Sequence, residues 1–131
     1  MNVNTRYVDG VQFVAETRGH QIVCDQPKEN HGQDAGMTPP ELLLASLGTC
    51  AGFYAAQYLK TRNLPTDGLE VNVSAGKASG PARMTDFVVE VKTSPLEPRH
   101  QEGILRAVHA CLVHNTLLHP PSLKVKLADG A

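Results

Sequence analysis

The chain opens on short alternating runs. Val3 to Asp9 and Val11 to Thr17 predict two strands, with Asp9-Gly10 between them as a hairpin turn. Arg18-Gly19-His20 marks a second turn, and Gln21 to Asp25 predicts a third strand of the same antiparallel meander. Gln26 to Met37 is polar, contains a proline and two glycines, and predicts a loop long enough to line a site. From Thr38 the pattern changes to a helix. Thr38 and Glu41 have the spacing of a capping box, and Pro39 falls where a missing N–H costs nothing. The stretch from Leu42 to Leu59 carries no charge, and Asn63-Leu64-Pro65 ends the helix.

An uncharged run of this length reaches the threshold of roughly 18 residues for a membrane span. Ser46, Thr49, Gln57 and two glycines interrupt it, and no aromatic belt flanks it. It therefore predicts a soluble core helix buried on most of its circumference, for which a second chain would supply part of the cover. Gly48 and Gly52 weaken a helix by roughly 1 kcal/mol each. The close approach of another helix would compensate them.

Further on, Leu69 to Ala75 and Met84 to Thr93 alternate and predict strands, separated by a loop at Gly76 to Ala82. Arg99 to Val113 predicts a second helix with an apolar stripe of Ile104, Leu105, Val108, Cys111 and Leu112. Ser122 to Leu127 alternates as a last strand. The order of elements gives an α+β fold with antiparallel sheet.

Composition narrows the function classes. The 131 residues suit one domain, and 41% hydrophobic with 19% charged residues is ordinary for a globular protein. A net charge of -1, with 5% aromatics and no tryptophan, gives no basis for binding nucleic acid or an anionic membrane. Three cysteines and no signal-like N-terminus point to reducing cytoplasm. No Gly-rich phosphate loop, nucleophile-elbow serine or dinucleotide fingerprint is present, and no cofactor is called for.

Cys50 and Cys111 each fall on the apolar part of a predicted helix, so packing of the two helices would bring the sulfurs together. They are either two buried small hydrophobes or a dithiol redox centre. A redox cysteine needs its thiolate, which burial disfavours. Cys50 lies too far into its helix for the helix's own N-terminus to help. A cation would have to come from elsewhere, and Arg18 is the candidate, against the plainer reading of a solvated turn arginine. Glu41 either caps the helix or holds that arginine. Cys24 reads as structural. Cys111-Leu112-Val113-His114 is half a metal site without a second ligand pair at the usual spacing.

The run Asp34-Ala35-Gly36-Met37-Thr38-Pro39-Pro40-Glu41-Leu42-Leu43-Leu44-Ala45-Ser46-Leu47-Gly48-Thr49-Cys50, with Ala110-Cys111-Leu112-Val113 further on, resembles the OsmC/Ohr family of osmotically inducible and organic hydroperoxide resistance proteins. The resemblance covers nearly the whole chain. It implies an intertwined homodimer, with sheets wrapped around two central helices and active sites at the subunit interface. It implies a thiol-dependent peroxidase in which Cys50 attacks an organic hydroperoxide and becomes a sulfenic acid. Cys111 then condenses with it to a disulfide, and a dithiol such as a lipoyl group reduces that disulfide. Arg18 matches the arginine that supports the thiolate, and Glu41 the glutamate that orients the arginine.

Two positions depart from the family pattern. Leu112 follows the second cysteine where members often carry proline. Pro40 stands where peroxidase members place the glutamate, and one residue is about 100° of helix, so Glu41 faces roughly opposite Cys50. Two rivals accompany the peroxidase reading. One is an OsmC-like protein without that activity that binds an apolar ligand at the dimer interface. The other is a metal-binding protein using Cys111 and His114.

Overall fold

The computed structural model describes residues 1–129. Its elements follow the expected α+β order, with β1 (Asn4–Asp9), β2 (Gln12–Thr17), β3 (His20–Cys24), α1 (Pro39–Thr61), β4 (Glu70–Ala78), β5 (Arg83–Lys92), α2 (Pro98–Val108) and α3 (Leu112–Leu118). The chain groups into two compact units. The first comprises Met1–Ser46 and Ser74–Phe87, the second Leu47–Val73 and the chain from Val88 onward.

In the first unit β1, β2 and β3 form an antiparallel sheet in sequence order. Thr17 pairs with His20, which leaves Arg18 and Gly19 as a two-residue hairpin loop. Both have positive φ, 51° and 81°, as a primed turn that matches strand twist requires. The loop after β3 is organised by Asp25, which is 2% exposed. Its carboxylate accepts N–H bonds from Gln26 at 2.8 Å, Gln33 at 3.2 Å and Ala35 at 3.1 Å. These bonds hold the carboxyl below its ordinary range even though burial opposes them.

The loop delivers the chain to α1, whose capping box forms as the sequence predicts. Glu41 Oε1 accepts from Thr38 N–H at 2.9 Å, and Glu41 N–H donates to Thr38 Oγ1 at 3.4 Å. At the other end Asn63 takes the left-handed conformation, φ 56°. Leu64 N–H reaches Leu59 O at 2.9 Å and Asn63 N–H reaches Lys60 O at 3.2 Å, the paired bonds of a Schellman stop.

In the second unit α1 buries Leu47, Ala51, Ala55, Tyr58 and Leu59, a single stripe along its length. Within the one chain Phe53 is 63% exposed. α1 is long and apolar enough to cross a membrane by length and composition, and 28% of that stretch is buried. The glycines face a strand, not the expected helix. A Cβ on Gly48 would meet Val73 at 3.3 Å and one on Gly52 would meet Val71 at 3.7 Å, both on β4. The tight helix–helix contact is at Gly103 of α2 instead, where a Cβ would collide with the Tyr58 ring and hydroxyl. Tyr58 Oη bonds His100 Nδ1 at 3.0 Å, and the Arg62 guanidinium lies 3.8 Å over the Tyr58 ring. Ile104 and Val108 complete the core from α2.

Two further expectations are corrected. The helix predicted over Arg99 to Val113 is two helices. α2 ends at Val108, where tight bonds from Ala110 N–H to Ala107 O and from Cys111 N–H to Val108 O close its last turn. Cys111 is then extended (φ -57°, ψ 129°), and α3 starts at Leu112. The expected apolar stripe breaks accordingly, with Leu105 53% and Leu112 63% exposed. The strand expected at Ser122 to Leu127 is irregular chain. Leu123, Val125 and Leu127 are almost fully exposed, and a strand pattern without a neighbouring ladder has nothing to pair with.

Candidate active site

The second unit brings Cys50 and Cys111 together from different kinds of backbone. Cys50 sits in the middle of α1, half-buried, on a regular turn whose N–H groups are already used inside the helix. Cys111 sits at the corner between α2 and α3 and is 0% exposed. Its side chain makes no close capping bond to α3. The N–H groups of the first turn of α3 have no partner inside that helix, whose first internal bond is Asn115 N–H to Cys111 O at 3.0 Å.

Those free groups act on the sulfurs. Burial pushes the Cys50 thiol up, but the Cys111 thiol as donor and the N–H groups of Val113 and Leu112 outweigh it and leave Cys50 below the ordinary thiol range. Cys111 moves the other way. Burial and its bond to Cys50 push it up, the N–H groups of His114 and Val113 pull it down, and the Cys50 charge adds to the rise. The Cys50 thiol thus lies below the ordinary thiol range and the Cys111 thiol above it. This polarity was not legible in the sequence, because a helix continuing through Cys111 would have spent those N–H groups on the carbonyls one turn back.

The first unit holds the other two candidate residues. Arg18 is exposed on the left-handed position of the β2–β3 turn, and among the described residues it takes part in no ion pair. The Glu41 carboxylate is engaged with Thr38, whose backbone and hydroxyl bonds lower its pKa. The structure therefore forms the cap and does not form an Arg18–Glu41 pair within one chain. Glu41 also lines a cavity of about 590 Å³ with Gln26, Glu29, Asp34, Leu44 and Met84.

Cys24 is a free, half-buried thiol on β3, bridged through its backbone to Met37. The His109 and His114 rings meet edge to face at 5.2 Å. Among the described residues no group of three or more His, Cys, Asp or Glu gathers as a metal site. Sequence reasoning missed Gly103 and the role of the first turn of α3. An isolated glycine in a helical stripe is the signal that could have found the first.

Comparison with known proteins adds the family. The sequence profile described as OsmC-like protein matches residues 31–126. A Psychrobacter arcticus protein named for osmotic stress induction and a detoxification response shares the fold with TM-score 0.80 at 18% identity, covering 88% of this chain and 87% of that one. An OsmC-like protein from Mycoplasma pneumoniae superposes with TM-score 0.76 at 21% identity, over 91% of this chain and 87% of the other. An organic hydroperoxide resistance protein OsmC from Legionella pneumophila gives 0.64 at 15% identity, over 89% of each chain. No curated protein matches the sequence.

Proposed function

The chain belongs to the OsmC family, and from that premise we propose that it is a thiol-dependent peroxidase that reduces organic hydroperoxides. The observation that carries the proposal is the pairing of two free thiols, Cys50 lowered with the Cys111 thiol as its donor and Cys111 raised. The Cys50 thiolate attacks the terminal oxygen of the hydroperoxide and the O–O bond breaks. The leaving alkoxide takes a proton and departs as the alcohol, while Cys50 is oxidised to the sulfenic acid. The neighbouring Cys111 thiol then attacks that sulfur. A disulfide forms, and the hydroxyl leaves as water with the Cys111 proton. An external dithiol, such as a lipoyl group, reduces the disulfide by two thiol–disulfide exchanges and is itself oxidised.

The active form is a homodimer in this proposal. A second copy would cover apolar side chains that one chain leaves open, among them Tyr7 at 61%, Ile22 at 50% and Phe53 at 63% exposure. Arg18 would supply the cation to a thiolate in that assembly. Glu41 would exchange its bond to Thr38 for one to Arg18. The three free cysteines fit a reducing cytoplasm.

The engagement of Glu41 with Thr38 favours one second reading, an OsmC-like protein that binds an apolar ligand and turns over no peroxide. Cumene hydroperoxide consumption with a dithiol reductant separates the two. The wild type should consume peroxide, and Cys50→Ser should fall to background, a loss on the order of a thousandfold. A wild type without turnover, or a mutant that keeps it, sinks the peroxidase proposal. Sedimentation analysis of the full chain should give a dimer, and a stable monomer at micromolar concentration contradicts the proposed assembly.

A further inference from the structure

The break between α2 and α3 brings a second pair of side chains together. His109 closes α2, and His114 is the third residue of α3. Five residues apart on one continuous helix, they would point about 140° away from each other. Cys111 between them is extended, with ψ 129°, and the chain turns there. The two rings meet edge to face, with centres 5.2 Å apart and planes at 87°. His109 is exposed and His114 half-buried. Two other histidines of this region are committed at Nδ1, His100 to Tyr58 Oη and His119 to Asn115 O. Among the described residues the rings of His109 and His114 make no hydrogen bond and no ion pair, only their contact with each other.

We infer that His109 and His114 form a two-imidazole site for a divalent transition-metal ion such as zinc or nickel. A ligating imidazole nitrogen lies about 2.0–2.1 Å from such an ion and about 1.1 Å from its own ring centre, so two rings on one tetrahedral ion have centres roughly 5 Å apart. The pair already has that spacing. The angle between the planes is no obstacle, because each ring can rotate about its bond to the ion. What the ion requires is a turn of each ring that aims one nitrogen at it.

Imidazole selects ions of this class, whereas calcium and magnesium seek oxygen. Among the described residues no carboxylate or thiol joins the two rings to make a group of three, so water fills the remaining positions and the ion is held exchangeably. Arg106, one turn before His109, is exposed, and solvent screens its repulsion of the ion. An ion in this place ties the end of α2 to α3 across the corner that carries Cys111. Because it binds the folded chain, it also stabilises that chain.

The inference does not depend on peroxidase activity and is tested without peroxide. Nickel is the probe, because soft thiolates compete more strongly for zinc and copper. The reduced full chain, free of any histidine tag, is titrated with nickel chloride by calorimetry. One ion per chain should bind, and the melting temperature should rise with nickel concentration. His109→Gln and His114→Gln should each weaken binding at least about tenfold, since even the loss of a group behind a metal ligand costs that much. His119→Gln and Cys50→Ser should bind as the wild type does. A wild type that binds no nickel at millimolar concentration overturns the inference. So does binding that survives in both His109→Gln and His114→Gln, or that disappears with Cys50→Ser and so belongs to the sulfurs. Should a variant fail to fold, the wild type decides alone: paramagnetic nickel should broaden the ring proton signals of His109 and His114 before those of the other histidines, and broadening that begins elsewhere overturns the site.

Discussion

Cys50 and Cys111 are neighbours with opposite surroundings. Cys50 is half-buried on a continuous helix, and Cys111 is fully buried at a break between two helices. Burial alone would leave both protonated. The regular helix gives its own cysteine nothing, because its N–H groups are committed to its carbonyls. The break leaves N–H groups free at the start of α3, and these act on both sulfurs. In this pair the Cys111 thiol and the N–H groups at an interruption of secondary structure lower Cys50, and the regular element only holds it in place.

The strongest way to break the contrast is Cys111→Ser. Peroxide-treated protein should carry one added oxygen at Cys50 and show no internal disulfide, an all-or-none difference by intact mass. A disulfide mass loss in this variant would mean that another thiol resolves Cys50. Next comes pH. Because Cys50 lies below the ordinary thiol range and Cys111 above it, iodoacetamide near neutrality should label Cys50 first. The preference should narrow as pH rises and Cys111 loses its proton; equal labelling at neutral pH contradicts the assignment.

A third test loosens the frame of Cys111. Gly103→Ala places a methyl group against Tyr58 and should destabilise the protein by about 1–3 kcal/mol, read by urea unfolding. Unaltered stability would mean that α2 is free to move. The smallest effect belongs to the frame of Cys50. Thr38→Ala removes the cap of α1 and should cost about 1 kcal/mol in the same measurement.

What the sequence revealed follows the range of the forces involved. The start of α1 was legible because Thr38 and Glu41 cap it within one turn, and Asn63 ends it just as locally. The first three strands were legible from alternation and tight turns. The break at Cys111 was not, because Ile104, Leu105, Val108, Cys111 and Leu112 keep helical spacing across it. Ser122 to Leu127 misled in the opposite sense, since alternation describes a face to be covered and supplies no cover. The site was half legible. The pairing of the sulfurs was within reach of the pattern, and the donors that act on them besides the Cys111 thiol are backbone atoms, which no residue type announces.

The long stretch of chain between the two sulfurs carries a consequence of its own. An oxidised Cys50–Cys111 link would close a ring of about 60 residues that takes in the second half of α1, β4, β5 and α2. Loop-entropy arguments put the resulting loss of freedom in the unfolded chain at roughly 4 kcal/mol. Each catalytic cycle would then alternate between a looser reduced molecule and a heat-resistant oxidised one, and the melting temperature itself would report which of the two a cell contains.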